Sequence, residues 1–241
     1  MIEGVIGSPL IHGHPPTVAD DCLLRNAWVC PEYVRTRSAD LVAATAEHLQ
    51  ITLISVVIGA VIALPLALVA RRFRRLRPGV LGVSTAIYTI PSLALFSLLL
   101  PFTGLSERTV IIGLVLYTLT ILVRAVLSGL DGVPEEVRDA GRGMGYSTNG
   151  LLWRVELPLA LPVLIGGLRI ATVSTVALTT IGTIVGSGGL GDLISTGLSS
   201  NFKAQVLTAS VLCVVLALVL DVVLLGVQRV LMPWRRRGEG R

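Results

Sequence analysis

Charge is scarce in this chain. Of its 241 residues only 15% are charged while 53% are hydrophobic, and the mean hydropathy is +0.80. Soluble domains carry about a quarter charged residues, so there is too little polar surface here to cover a globule in water. The apolar residues gather in blocks of membrane-spanning length, which sets the class as an integral membrane protein. Lysine is scarcer still: Lys203 stands alone against nineteen arginines. A phosphate-binding loop requires a Gly-Lys pair. The string Gly186-Ser187-Gly188-Gly189-Leu190-Gly191 has none, and Lys203 follows Phe202, so no ATP site is expected in this chain.

Histidine and cysteine are equally sparse, at three each. Ser187 between glycines suggests an intramembrane serine protease, but that chemistry needs a base within hydrogen-bond reach. His12, His14 and His48 all lie outside the last four apolar blocks, so a protease is not expected, and no metal site is read. Cys213 falls inside an apolar block and reads as a small buried hydrophobe. Cys22 and Cys30 fall in a polar N-terminal segment placed outside the membrane, where a disulfide is open to them. Residues 1–30 lack the basic start and continuous apolar stretch of a cleavable signal peptide. There is no internal repeat and no low-complexity tract.

Five blocks read as transmembrane helices, giving an all-α membrane fold: about 51–70, 79–102, 109–127, 159–185 and 206–228. The first is twenty residues without a charge, which at about 1.5 Å per residue spans roughly 30 Å. Pro65 is expected to kink it, and Pro91 lies in the middle of the second. Residues 39–48 can form a helix on the outer surface before the first span. The net charge of +5 does not point to nucleic acid, because the arginines cluster in short loops beside the apolar blocks. Five of them, Arg71, Arg72, Arg74, Arg75 and Arg77, follow the first block directly and place that end in the cytoplasm. The parity of five spans then puts the N-terminus outside and the C-terminus in the cytoplasm. Thirteen basic residues fall inside and five outside, so the topology is self-consistent.

The longest loop on the predicted cytoplasmic side, about 128–158, carries ordered signals. Pro134 with Glu135 and Glu136 reads as a helix start, and Gly145 is placed to end that helix. Ser147 can cap a second short helix that Pro158 stops. Helices this short are marginal alone, so they need something to pack on. Ala140, Gly141 and Gly143 leave a bare region for close approach, and Val137 and Met144 supply apolar contact.

The loop reads Asp139-Ala140-Gly141, three residues, Gly145, nine residues, then Val155-Glu156-Leu157-Pro158. That spacing resembles the EAA signature of type I ABC importer permeases, the membrane components of binding-protein-dependent transport systems. Asp139 replaces Glu and Gly141 replaces Ala, keeping charge and small size. Glu47-His48-Leu49, Ile90-Pro91-Ser92-Leu93-Ala94, the stretch Glu156 to Arg169, and Gly186 to Ile194 look like the osmoprotectant subfamily, permeases for glycine betaine, carnitine and choline.

The resemblance implies a multi-pass protein of a prokaryotic inner membrane, with an N-terminal extension (1–44), a transmembrane domain (45–228) containing a coupling loop (131–158), and a basic tail (229–241). It implies that Asp139, Ala140, Gly141, Gly145, Val155, Leu157 and Pro158 form a coupling surface. It also implies two ATP-binding-cassette ATPase partners that hold the ATP and Mg, a second permease chain, identical or paralogous, and a separate binding protein. Pro91, Gly186, Gly188, Gly189 and Gly191 become candidates for the translocation path or gate; the glycine string otherwise reads as a tight outer turn. Only Tyr88, Phe96, Phe102 and Tyr117 lie in the spans, too few for the aromatic cage that holds quaternary ammonium ions. Tight recognition is therefore expected in the binding protein, for which about 50 residues before the first span and 13 after the last leave no room.

Three charges fall at membrane depth, where each carries a functional hypothesis. Arg124 is expected to snorkel to the inner surface. Arg169 and Asp221 lie at comparable depths on helices of opposite direction, and either pair with each other or find separate partners. A different class of protein, an ion-coupled secondary transporter, would use Asp221 as its midplane carboxylate. It leaves the ordered loop without a role.

Overall fold

The computed structural model describes residues 22–232, which are helical with no strand among them. Pro15-Pro16, His12, His14 and the arginines of the last seven positions lie outside the described residues. After a short α1 (Pro31–Thr36), α2 runs unbroken for 35 residues from Ser38 to Arg72, through Pro65. The segment 39–48 is thus the first turns of the span itself and not a separate surface helix. At about 1.5 Å per residue α2 is roughly 52 Å long, well beyond the hydrocarbon core.

The second expected span is broken. α3 (Arg77–Thr89) and α4 (Ser92–Thr103) meet at 99° across Ile90-Pro91. Proline forces its predecessor into extended backbone, and Ile90 has ψ 127°. Tyr117 donates its hydroxyl proton to the Ile90 carbonyl freed at this bend. α5 (Glu107–Asp131) and α8 (Leu157–Thr179) follow, and α10 (Lys203–Leu231) closes the bundle. Four helical stretches are long and apolar enough to cross a membrane among the described residues, or five if the bent pair counts as one.

α2, α5 and α8 form the centre. Ala63 and Ala67 of α2, Val123 and Leu127 of α5, and Ala160 and Ala171 of α8 share one buried cluster. In lipid, helices gain little from burying apolar side chains, so close approach at small residues holds them together. Gly59 lies against Thr118, Gly129 against Leu164 and Ala160, and Gly167 against Ala125. The most apolar stretch of α5 is 61% buried against 6% for that of α10, which sets α5 in the middle and α10 at the edge.

At the end of the bundle remote from the arginine run, a 3-10 turn (Thr180–Val185) leads into the glycine string and then α9 (Leu190–Ser199). This helix was not expected, because residues 186–205 carry no long apolar run. The string forms a turn with Gly186 and Gly189 at positive φ, and its Gly188, Gly189 and Gly191 are buried. Gly189, at φ +54°, abuts the backbone of His48 and Ala44, and Gly191 abuts Thr180. The N-terminal segment is fastened to the same end. Cys22 and Cys30 are joined by a disulfide, Tyr33 meets Phe202 edge-on at 5.1 Å, and Asn26 accepts from the Lys203 amide.

A Cβ on Gly191 would stand 2.3 Å from the Thr180 carbonyl oxygen, which is backbone and cannot turn aside, whereas one on Gly79 would meet nothing within 4 Å. Gly191→Ala is expected to destabilise the fold by about 1–3 kcal/mol, and Gly79→Ala to leave it unchanged or raise it by up to about 1 kcal/mol. Thermal unfolding of the two variants in detergent checks the contrast.

Candidate functional site

The ordered loop folds as one helix and the start of another. α6 (Glu135–Gly143) begins after Pro134 and ends as expected, with Gly145 in the left-handed region at φ +85° and the Tyr146 amide donating back to the Gly141 carbonyl. The Ser147 hydroxyl caps α7 (Thr148–Leu151), accepting from the Gly150 amide at 3.2 Å. Pro158 does not stop this second helix, contrary to the sequence reading. Residues Leu152–Glu156 form a π turn that runs directly into α8, with the Leu157 amide donating to the Leu152 carbonyl. A proline clashes with the carbonyl four residues before it, here Arg154, and the wider turn relieves that clash while the helix continues.

The turn also aims Glu156 inward. Its carboxylate takes a two-pronged contact from Arg71 at 2.7 and 2.9 Å and lies 3.0 Å from Arg138 Nε. Its side chain is 7% exposed. One carboxylate thereby joins the end of α2, the middle of α6 and the beginning of α8. Arg138 donates further to the Leu130 carbonyl at the end of α5 and to Glu135, which also pairs with Arg142. Hydrogen bonds from Arg138 and Arg142 hold the Glu135 carboxyl below the usual glutamate range. Its contribution to folding is present above that range and is lost as pH falls through the lowered value.

Of the loop residues singled out from the sequence, Asp139, Ala140 and Gly145 are exposed, Val155 and Pro158 are half-buried, and Gly141 and Leu157 are buried. Gly141 lies against Leu151, where a Cβ would come within 2.4 Å of the leucine methyl. That contact packs α6 on α7. Met144 and Trp153 stand 71% and 60% exposed beside it. A depression of about 990 Å³ opens between this surface and the end of α2, with Arg72, Arg74, Tyr146 and Asn149 around it. The sequence reading missed Arg71 and Glu156 as a pair. It used Arg71 for orientation and Glu156 for spacing; the one signal available was a lone carboxylate among apolar residues.

The intramembrane charges part company. Arg169 Nε and Nη2 meet the two Asp221 oxygens at 2.7 and 2.6 Å, so the structure brings these two together. Arg124 is exposed and reaches toward α3. Its Nη2 donates to Thr85 Oγ1 at 2.6 Å, at the wall of a groove of about 680 Å³ between α3, α5 and α8. Pro91 sits at the bend of α3 and α4, and Gly186, Gly188, Gly189 and Gly191 lie around the turn that opens α9. His48, set aside by its place in the chain, is brought against the glycine string. Its Nε2 is engaged with the Val176 carbonyl at 3.0 Å and not with Ser187. Around it Thr52, Ser55, Thr175 and Thr179 make a buried polar seam between α2 and α8.

Comparison with known proteins agrees with this architecture. Residues 55–237 match the family described as binding-protein-dependent transport system inner membrane component. The glycine betaine/carnitine/choline transport system permease protein OpuCD of Bacillus subtilis is 36% identical over 79% of this chain and 84% of its own length. The choline transport system permease protein OpuBB of the same organism is 32% identical over 84% of this chain and 93% of its own. The osmoprotectant import permease protein OsmW of Salmonella typhimurium is 34% identical over 83% and 96%. Among solved structures, a chain of the inward-facing MetNI methionine ABC transporter superposes with a TM-score of 0.71 at 26% identity, covering 78% of this chain and 94% of that one.

Removing the Glu156 carboxylate leaves Arg71 and Arg138 facing each other with no anion between them. Glu156→Ala is expected to cost about 3 kcal/mol, the scale for breaking a buried pair. Arg71→Ala combined with it should cost less than the sum of the single changes by more than about 0.5 kcal/mol. Unfolding of the single and double variants in detergent measures the coupling, and strict additivity denies it.

Proposed function

The chain belongs to the family of binding-protein-dependent transport system inner membrane components, and from that premise we propose that it imports a quaternary-ammonium osmoprotectant of the glycine betaine, carnitine or choline kind. It is the multi-pass permease subunit of an ATP-binding-cassette importer. The solute class is supported by the relatives' transport systems. The observation that carries the mechanism is Glu156, which fastens α6 to two spans.

The loop 131–158 faces the cytoplasm and docks on an ATPase subunit through Ala140, Gly143, Met144 and Trp153. The arginine run at Arg71–Arg77 supports that orientation, with the N-terminus outside. Two ATPases hold ATP and Mg, and this chain, non-catalytic, transmits their motion. ATP binding draws the two loops of a permease pair together. Because α6 is tied through Glu156 to Arg71 and leads into α8, displacement of the loop becomes rotation of α2 and α8. A ligand shifts such an equilibrium only by its differential contacts with the two states, and here the ATPases make those contacts on the loop. The solute, delivered by an extracytoplasmic binding protein, passes between the paired permeases. The methionine transporter that shares the fold makes an amino acid the competing solute class.

The test is uptake of labelled glycine betaine, carnitine, choline and methionine by the complex reconstituted with its ATPase and binding protein. Accumulation of a quaternary amine that vanadate stops is expected; accumulation driven by an ion gradient without ATP returns the secondary-transporter reading. Trp153→Asp and Gly145→Val are expected to cut vanadate-sensitive uptake at least about tenfold while the permease remains folded. For Gly145 the cause is conformational, since its surroundings are open but its φ of +85° disfavours a β-branched residue. Co-purification with the ATPase should fall in parallel.

A further inference from the structure

The two arginines inside the spans differ in how their charge is met. Arg169 is neutralised by Asp221 through a two-pronged ion pair. Arg124 meets only the neutral hydroxyl of Thr85, and no carboxylate lies within ion-pair distance of it among the described residues. Its depth follows from the helices. Arg124 is seven residues from Asp131 at the end of α5, about 10 Å along the axis. Arg77, at the start of α3, pairs with Asp131 and fixes the two helix ends at one level. Thr85 lies eight residues up α3 from there. A guanidinium without a carboxylate partner in a span is costly against hydrocarbon and carries a functional hypothesis, here that it faces a hydrated cavity or pathway. The groove of about 680 Å³ at Arg124 is the candidate for such a cavity, and its size suits a small solute.

The rest of the lining has a second character. Tyr88 is one turn beyond Thr85 on the same face of α3, half-exposed to the groove, with Tyr117 braced edge-on against it at 5.8 Å. A single aromatic face attracts a quaternary ammonium group weakly, whereas a guanidinium with free N–H donors binds a carboxylate by charge-assisted hydrogen bonds. The same guanidinium repels a cation that carries no carboxylate. We propose that Arg124 is the specificity-determining residue of the translocation groove, admitting zwitterions that carry both a carboxylate and a quaternary ammonium, glycine betaine or carnitine, over the bare cation choline. This rests on the quaternary-ammonium reading above and refines it.

The experiment compares uptake of glycine betaine and choline by the full reconstituted complex. The wild-type complex should favour glycine betaine. The binding protein is the same in every sample, so a change in the ratio on altering the permease belongs to the permease. Arg124→Gln should lower the betaine-to-choline ratio about tenfold, while Arg124→Lys keeps most of it. Thr85→Asp supplies the missing carboxylate and cancels the charge in place, so it should lower the ratio as Arg124→Gln does. A ratio unchanged in both Arg124→Gln and Thr85→Asp overturns the role of Arg124 and leaves the quaternary-ammonium reading standing. A wild-type complex that accumulates neither solute, nor carnitine, overturns that reading and this one with it.

Discussion

One buried carboxylate, Glu156, ties three elements together at the arginine-rich end of this bundle. Two arginines from distant parts of the chain converge on it, Arg71 at the end of α2 and Arg138 on α6. Taking three charges out of water is costly unless geometry and hydrogen bonds compensate, and the two-pronged contact from Arg71 supplies that geometry. The backbone sets it up. Pro158 cannot sit comfortably after an ordinary helical turn, and the π turn at Leu152–Glu156 accommodates it. One additional residue in a helix rotates the side chains beyond it by about 100°. The turn that accommodates the proline is therefore the turn that points Glu156 inward; the two are one device.

Because of that device, the loop helix is not a free appendage. α6 is too short to be stable alone, and it is held on one side by Gly141 against Leu151 and on the other by Arg138. Its remaining face, with Ala140 and Met144, is left bare. Force applied to that face passes into α2 and α8 through Glu156, and into α5 through Arg138 at the Leu130 carbonyl. Helices α2 and α8 share the buried polar seam of His48, Thr52 and Thr179 toward the opposite end, where Gly189 abuts His48. On the proposed reading, one continuous packed body thus runs from the ATPase-facing loop to the glycine string across the bilayer.

Much of this was legible from the sequence, and the parts that were not share a cause. Apolar runs mark spans because a helix in lipid must be apolar over its whole length, and five runs were visible. Gly145 was legible because a left-handed residue after a helix is a local requirement. Arg169 with Asp221 was legible as one of two options, since opposite helix directions place them at like depth. The 99° bend at Pro91 was not, because a proline in an apolar run either kinks or breaks a helix depending on what its neighbours satisfy, here Tyr117 on another helix. α9 was hidden for a similar reason: Gly191 and Gly197 lower helix propensity, and only their close packing on Thr180 and Val206 accounts for them. Glu156 and Arg71 are 85 residues apart. Nothing local announces such a pair.

The peripheral helix shows why charges are placed so unevenly. Only 6% of the most apolar stretch of α10 is fully buried in the bundle, and in lipid further burial would bring little gain, since acyl chains are as apolar as leucine. Its attachment must come from polar contacts and close packing. Asp221 with Arg169 provides the first, and Gly197 against Val206 the second. A charge that serves as a fastening has to be matched by its opposite, otherwise its desolvation exceeds what it contributes. Every buried carboxylate among the described residues obeys that rule: Glu156 is met by arginines on two sides. Arg124 fastens α5 to α3 only through a neutral hydroxyl, so fastening does not account for its charge. On the proposed reading, a charge kept in the wall of a groove rather than at a helix contact is answered by a solute that enters the groove and carries the opposite charge with it.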